Sequence, residues 1–105
     1  MKSAKRSRLK KAGWKIGSTA EFLELTPEEA AFVELKVALA EGLRARRLRS
    51  RMTQGELARI VRSSQSRVAK MEASDPTVSL DLLVRSLLAL GASPEDLARL
   101  IRRAA

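Results

Sequence analysis

The 105-residue sequence contains no cysteine and no histidine. These absences exclude disulfides, thiolate and imidazole metal sites, and most nucleophilic or acid–base catalysis near neutral pH. An enzyme that uses only carboxylates for catalysis remains possible, but the sequence gives it little support. We therefore expect no catalytic residues, no metal site and no cofactor.

Aromatic residues and long apolar runs are also scarce. Trp14, Phe22 and Phe32 are the only aromatic residues, although apolar residues make up 45% of the chain. A core of Leu, Val, Ile, Met and Ala favours packed helices over a sheet. No stretch approaches the roughly 18 apolar residues of a membrane span, and no apolar segment of a secretory signal follows the basic N-terminus. We expect no membrane partner.

Basic residues are abundant: 21 Lys and Arg face 12 Asp and Glu, for a net charge of +9. This balance points to a polyanionic partner, either nucleic acid or an acidic surface. Residues 1–20 carry seven basic residues and no acid, and residues 44–51 contain five arginines. The arginine run exceeds what a helix dipole needs, so phosphate contacts are predicted. The arginines assigned to them are Arg44, Arg47 and Arg51.

The chain divides into a basic N-terminal tail with a partner-binding segment, residues 1–25, and a domain, residues 26–105. The tail is either solvated or ordered by a partner. After it, two bulky apolar residues set two apart predict a short strand, and a capping-box pattern predicts a short helix. Such a small hook must pack on the domain or on another protein. Its apolar residues are Trp14, Ile16, Phe22 and Leu23.

Start and stop signals predict five helices in the domain, an all-α fold. They run from Pro27 to about Arg49, Gln54 to about Val61 or Arg62, Gln65 to about Ala73, Leu80 to Leu90, and Pro94 to about Arg103. The buried stripe of the first helix is predicted at Leu35, Leu39 and Leu43, with Phe32 extending it. Val68 and Met71 are predicted to face inward.

The second and third helices, joined by a tight turn, form a helix-turn-helix candidate. In this geometry the second of the two helices enters the DNA major groove. Gln reads adenine and Arg reads guanine there, while Ser serves either base. The predicted base-reading residues are Gln65, Ser66, Arg67 and Ala69; the predicted backbone contacts, besides the arginines, are Gln54, Ser64, Lys70 and Ser79. An ordinary polar helix start is the alternative for Gln65 and Ser66.

Residues 35–92 resemble the Cro/C1-type helix-turn-helix family. The resemblance rests on Thr53-Gln54-x-Glu56-Leu57-Ala58, Ser64-x-Ser66-x-Val68-x-Lys70-Met71-Glu72, Ser79-Leu80 and Leu90-Gly91. It implies a lambda-repressor-like fold in which the two helix starts approach each other, so that Gln54 could hydrogen-bond Gln65. The sequence departs from the pattern at Arg62, in place of the turn glycine, and at Ala73-Ser74, in place of Asn-Gly. Either Arg62 adopts a left-handed conformation or the turn differs.

Residues 14–92 also resemble a narrower group, the HigA-type antitoxins. The matching segments are Trp14-Lys15-x-Gly17-Ser18, Phe22-Leu23, Glu29-Ala30-Ala31, Glu34-Leu35-Lys36 and Ser64 to Ala73. The resemblance implies a dimeric autorepressor of operator DNA that also neutralises a RelE/HigB-like, mRNA-cleaving toxin. It also implies toxin contacts from the hook residues Trp14, Ile16, Phe22 and Leu23.

Two other functions stay open. A stand-alone, phage-like repressor would use the hook only for packing on its own domain. A non-specific RNA-binding protein would need aromatic stacking residues, of which Trp14 is the one candidate. Helix-turn-helix proteins usually dimerise to span two half-sites, and Leu97, Leu100 and Ile101 of the fifth helix are the predicted dimer interface; the alternative is that this helix closes the monomer's core. A DNA-binding protein without cysteine is expected in the cytoplasm, associated with the nucleoid.

Overall fold

The structure, a computed structural model, describes residues 25–104. Five α-helices and no strand occur in this range, which confirms the predicted all-α helix-turn-helix fold. The helices are α1 (Pro27–Arg49), α2 (Gln54–Ile60), α3 (Gln65–Glu72), α4 (Leu80–Ala89) and α5 (Pro94–Ala104). The predicted hook lies outside the described residues. None of the five helices is long and apolar enough to cross a membrane.

A serine or threonine cap begins each helix. In three of them the cap hydroxyl accepts the backbone N–H three residues later, and the acid at that position accepts the cap's own N–H. These reciprocal pairs satisfy donors that a helix start would otherwise leave without partners. The pairs are Thr26 with Glu29, Thr53 with Glu56, and Ser93 with Asp96. Ser64 and Ser79 cap α3 and α4 through the hydroxyl alone.

The first four helices end in the same way. After each C-cap, one residue adopts a left-handed conformation, and the next N–H donates to the carbonyl five positions earlier. This is the Schellman motif, which usually has glycine at the left-handed position. The four left-handed residues are Arg51, Arg62, Ser74 and Gly91. Of the two alternatives at Arg62, the left-handed conformation is the one observed. Three of the four positions carry a side chain that this conformation disfavours.

The core is an aliphatic cluster around α1, which packs against α3, α4 and α5. Leu39 and Leu43 are fully buried and Leu35 packs against them, as predicted. The prediction was wrong for Phe32, which is 48% exposed. The cluster reaches α1 only from Leu35 onward, so Phe32, one turn earlier, lies beyond it. Its ring centre lies 6.0 Å from the Lys36 ammonium.

Helix α5 closes the domain against α1. Leu97 and Leu100 pack against the core cluster, and a Cβ atom added to Gly42 of α1 would lie 2.5 Å from Leu100 Cδ1. The missing side chain at Gly42 thus lets the two helices approach closely. These contacts account for Leu97 and Leu100 within one chain, whereas Ile101 is 43% exposed. The dimer interface on α5 stays a prediction.

Replacing Arg62 with glycine should stabilise the domain. A left-handed conformation costs an L-residue roughly 1–2 kcal/mol, and glycine offsets part of this gain by its greater freedom when unfolded. We expect the free energy of unfolding in urea to rise by about 0.5–1 kcal/mol. Arg62→Ala is the matched control, because it removes the same charge but keeps the Cβ atom. An equal gain in both variants would mean that charge, not backbone conformation, is responsible.

The capping carboxylates should make the domain sensitive to acid. Hydrogen bonds from the cap residues lower the pKa of Glu29, Glu56 and Asp96 in the folded chain. Their contribution to stability is present above the unfolded pKa and is lost as the pH falls through the folded pKa. We expect urea stability to decline as the pH drops below 4.5, the ordinary glutamate pKa. Glu29→Gln combined with Glu56→Gln should make this decline shallower, and an unchanged slope would contradict the assignment.

Candidate nucleic-acid interface

A buried ion pair ties α1 to α3. Arg47 Nε donates to Glu72 Oε2 at 2.5 Å, and Arg47 Nη2 donates to Glu72 Oε1 at 3.0 Å. Arg47 Nη1 donates to the carbonyl of Met52, just before α2, at 2.8 Å. The two side chains are only 10% and 4% exposed, and the hydrogen bonds to Glu72 raise the pKa of Arg47. One guanidinium therefore joins α1, α3 and the start of α2.

This geometry corrects the assignment of Arg47. A phosphate contact was predicted for it, but all three guanidinium nitrogens donate within the chain and the side chain is buried. A buried charge needs its partner, so the guanidinium has no freedom to turn toward DNA. Arg44 and Arg51 are exposed, and their phosphate contacts stay predictions.

The side chain of Gln54, at the start of α2, belongs to the same network. Its Nε2 donates to Glu72 Oε1 at 3.2 Å, and no bond joins it to Gln65, whose side chain is exposed. A carboxylate is a stronger acceptor than an amide oxygen, which explains the choice of partner. Gln54 stays a predicted backbone contact, now held in place by Glu72 rather than by Gln65.

Helix α3 presents the predicted DNA-reading side chains on its outer surface. Val68 and Met71 are fully buried, as predicted. The first-turn residues Gln65, Ser66 and Arg67 are exposed. The hydroxyl of Ser64 accepts the Arg67 N–H at 3.1 Å and lies 3.2 Å from the Ser66 hydroxyl. Lys70 is exposed and Ala69 is half-buried.

Two grooves flank α3, and seven of the predicted residues line one or the other, whereas Gln65 and Arg51 line neither. One, of about 300 Å³, is lined by Ser64, Ser66, Arg67, Lys70, Thr77 and Val78. The other, of about 580 Å³, holds Gln54, Ala69 and Arg44 together with Leu48 and Glu72. Ser79 lines neither groove and is exposed at the start of α4, where its hydroxyl accepts the N–H of Leu82. Helix α3 therefore forms a ridge with candidate contacts on both sides.

Sequence reasoning missed the loop that borders the first groove. Asp75 Oδ1 accepts the N–H of Thr77 at 2.8 Å and its hydroxyl at 2.6 Å, and these bonds lower the pKa of Asp75. They hold Thr77 beside Lys70 and Arg67. The signal was present, because an Asp-Pro-Thr run is typical of a side-chain-stabilised turn.

The positioning role of Glu72 was missed too. Glu72 follows the inward-facing Val68 by one helical turn and therefore faces the interior with it. An acid on an inward face needs a cation, and Arg47 supplies it. No group of His, Cys, Asp and Glu residues within 25–104 could hold a metal ion.

The helix-turn-helix geometry agrees with the comparison to known families. A family model described as a helix-turn-helix domain matches residues 38–100, more than half of the chain. The chain belongs to this helix-turn-helix family, which is Cro/C1-like and typically not enzymatic. It is thereby a DNA-binding protein of the transcription-regulator class. No curated protein and no solved structure matches the chain.

Breaking the buried ion pair should strongly destabilise the domain. Arg47→Met leaves the Glu72 carboxylate without its cation, which costs about 3–5 kcal/mol in comparable buried pairs. Removing both charges, with Arg47→Met and Glu72→Leu together, should recover most of that loss because no uncompensated charge remains. Urea denaturation of the two single variants and the double variant measures the coupling.

The matched control is the pair between Arg85 and Asp81, whose side chains are 73% and 74% exposed. Asp81→Asn should change the free energy of unfolding by less than about 1 kcal/mol. Equal effects for the two pairs, or clean additivity for Arg47 and Glu72, would show that burial does not set the strength of this interaction.

Proposed function

We propose that the chain is a transcriptional repressor that binds operator DNA as a homodimer, with α3 as the recognition helix. The observation that carries this proposal is the two-sided surface of α3: its inner residues are fully buried, while its outer residues are exposed and include Gln65, Ser66 and Arg67. These side chains have the donors and acceptors that read base edges in the major groove. The family match supports the same function.

Most of the proposed contacts lie in the two grooves. Gln65, Ser66 and Arg67 would meet base edges, while Lys70 would reach the backbone from the first groove. Ala69 has no polar atoms and would contribute an apolar contact, for instance to a thymine methyl group. In the other groove, Gln54 and Arg44 would hold phosphates. Ser64 in the first groove, and Arg51 and Ser79 outside both grooves, are the remaining proposed backbone contacts. These contacts would set the register of α3 on the duplex.

We further propose that the chain is an antitoxin that neutralises a RelE/HigB-like toxin. The support is the resemblance of residues 14–36 to the HigA-type group and the exposure of Phe32 on the first turns of α1. A half-exposed aromatic side chain within that segment offers a partner an apolar anchor. The predicted toxin contacts remain Trp14, Ile16, Phe22 and Leu23. A stand-alone, phage-like repressor is the second candidate, and it needs no partner for this segment.

Arg67→Ala should alter DNA sequence preference, whereas Lys70→Ala should not. Operators selected from a random duplex pool supply the target, and affinities are then measured by gel shift. If Arg67 reads guanine, its loss costs about 1–3 kcal/mol and relaxes one operator position. Loss of Lys70 should weaken all sequences alike and reduce the dependence on salt.

The matched control is Arg85→Ala, an exposed arginine of α4 that lines neither groove. It should leave the selected sequences unchanged. Uniform weakening by Arg67→Ala would make Arg67 a backbone contact, and the absence of any selected operator would remove the repressor proposal.

Deleting residues 1–25 should separate the two proposed activities. The full chain and the truncated chain are each produced together with the product of the neighbouring gene, and co-purification is measured. We expect the truncated chain to lose that partner but to keep operator binding, because the helix-turn-helix lies wholly in the described domain. Full retention of the partner would exclude the hook as the main toxin contact, and the absence of a partner for either chain would favour the stand-alone repressor.

A further inference from the structure

A second basic surface lies away from the helix-turn-helix. A groove of about 360 Å³ separates α1 from α5, and no residue of α2 or α3 lines it. Its walls carry four arginines and two acids, so the groove has an excess of positive charge. The arginines are Arg46, Arg49, Arg99 and Arg103, and the acids are Glu41 and Asp96.

The Arg49 side chain, on the α1 wall of the groove, points away from the recognition helix. Successive residues of an α-helix are about 100° apart, so Arg49 lies about 200° around α1 from Arg47. Because Arg47 points to Glu72 of α3, Arg49 points to the opposite side. A duplex bound along α3 would therefore not contact Arg49, although Glu41 and Ala45 line this groove and also the groove beside α3.

One of the two acids of the groove is paired with two of its arginines. Asp96 accepts hydrogen bonds from the N–H of Ser93, from Arg46 at 3.0 Å and from Arg99. Arg49 and Arg103, in contrast, are exposed and form no ion pair with any acid of residues 25–104. One lies on α1 and the other on α5, so the two unpaired guanidinium groups stand on opposite walls. Guanidinium groups bind carboxylates with two parallel hydrogen bonds.

We infer that the groove between α1 and α5 docks an acidic segment of a partner protein. Charge complementarity selects this occupant. Residues 1–20 of the chain carry basic residues and no acid, so the tail is repelled from this groove. A second copy could enter only through its residues 21–35, which carry five acids and no base, and self-association of the full chain without peptide would identify that occupant instead. A nucleic-acid strand would lack stacking partners, because no aromatic residue lines the groove. This docking does not depend on the proposed toxin partner.

The test uses the full chain and a labelled, alanine-rich helical peptide with glutamate at every fourth position. Peptide binding is followed by fluorescence anisotropy at low salt. Arg49→Gln with Arg103→Gln should weaken binding about tenfold, because both unpaired guanidinium groups are lost. The matched control, Arg59→Gln with Arg102→Gln, has the same net charge and removes exposed arginines that do not line the groove. It should change affinity less than about twofold.

Three outcomes would overturn the inference. The peptide does not bind, both double variants weaken it equally, or a single-stranded oligonucleotide binds more tightly and loses its affinity in the groove variant alone. The last result would assign the groove to nucleic acid. Amide chemical shifts locate the peptide independently: they should change at Gly42 and Ala92, which line the groove, and not at Gln65. Circular dichroism of both double variants checks that the fold is intact, and unchanged operator affinity keeps this test separate from the repressor proposal.

Discussion

The structure depends on one buried ion pair, between Arg47 and Glu72. Its guanidinium contacts a carboxylate from α3 and a carbonyl from the segment before α2, so it fixes both halves of the helix-turn-helix relative to α1. Burial makes each member costly without the other. Because Glu72 also holds Gln54, the contact that completes the interior also orients the surface of α2. Folding and positioning for DNA therefore share the same atoms.

The surrounding surface divides into regions of different chemistry. Helix α3 carries uncharged polar and basic side chains between two grooves, with Thr77 on one side and Gln54 on the other. The arginines of α1 lie in different environments around the helix: Arg47 is internal, Arg44 lies beside α3, and Arg49 faces α5. The arginine run that reads as one patch in the sequence is therefore divided between the interior and two surfaces, since successive side chains point in different directions.

Local chemistry made the fold predictable. Each cap acts within three residues, so Thr26, Thr53 and Ser93 could be assigned as helix starts directly from the sequence. The site was predictable only in part. The inward positions Val68 and Met71 followed from periodicity. The pairing of Arg47 with Glu72 did not, because Glu72 lies 25 residues away and no local pattern distinguishes Arg47 from the other four arginines. The prediction that Phe32 is buried failed for a similar reason. An apolar stripe along one helix does not show where the helices that pack against it end.

Three of the helix ends lower the stability of the fold and thereby its resistance to proteolysis. Arg51, Arg62 and Ser74 hold a backbone conformation that suits glycine. Each of them therefore lowers the free energy of unfolding. A smaller free energy of unfolding raises the fraction of molecules that are unfolded and accessible to proteases. Substituting glycine at these three positions would therefore slow degradation of the protein without changing the outer face of α3.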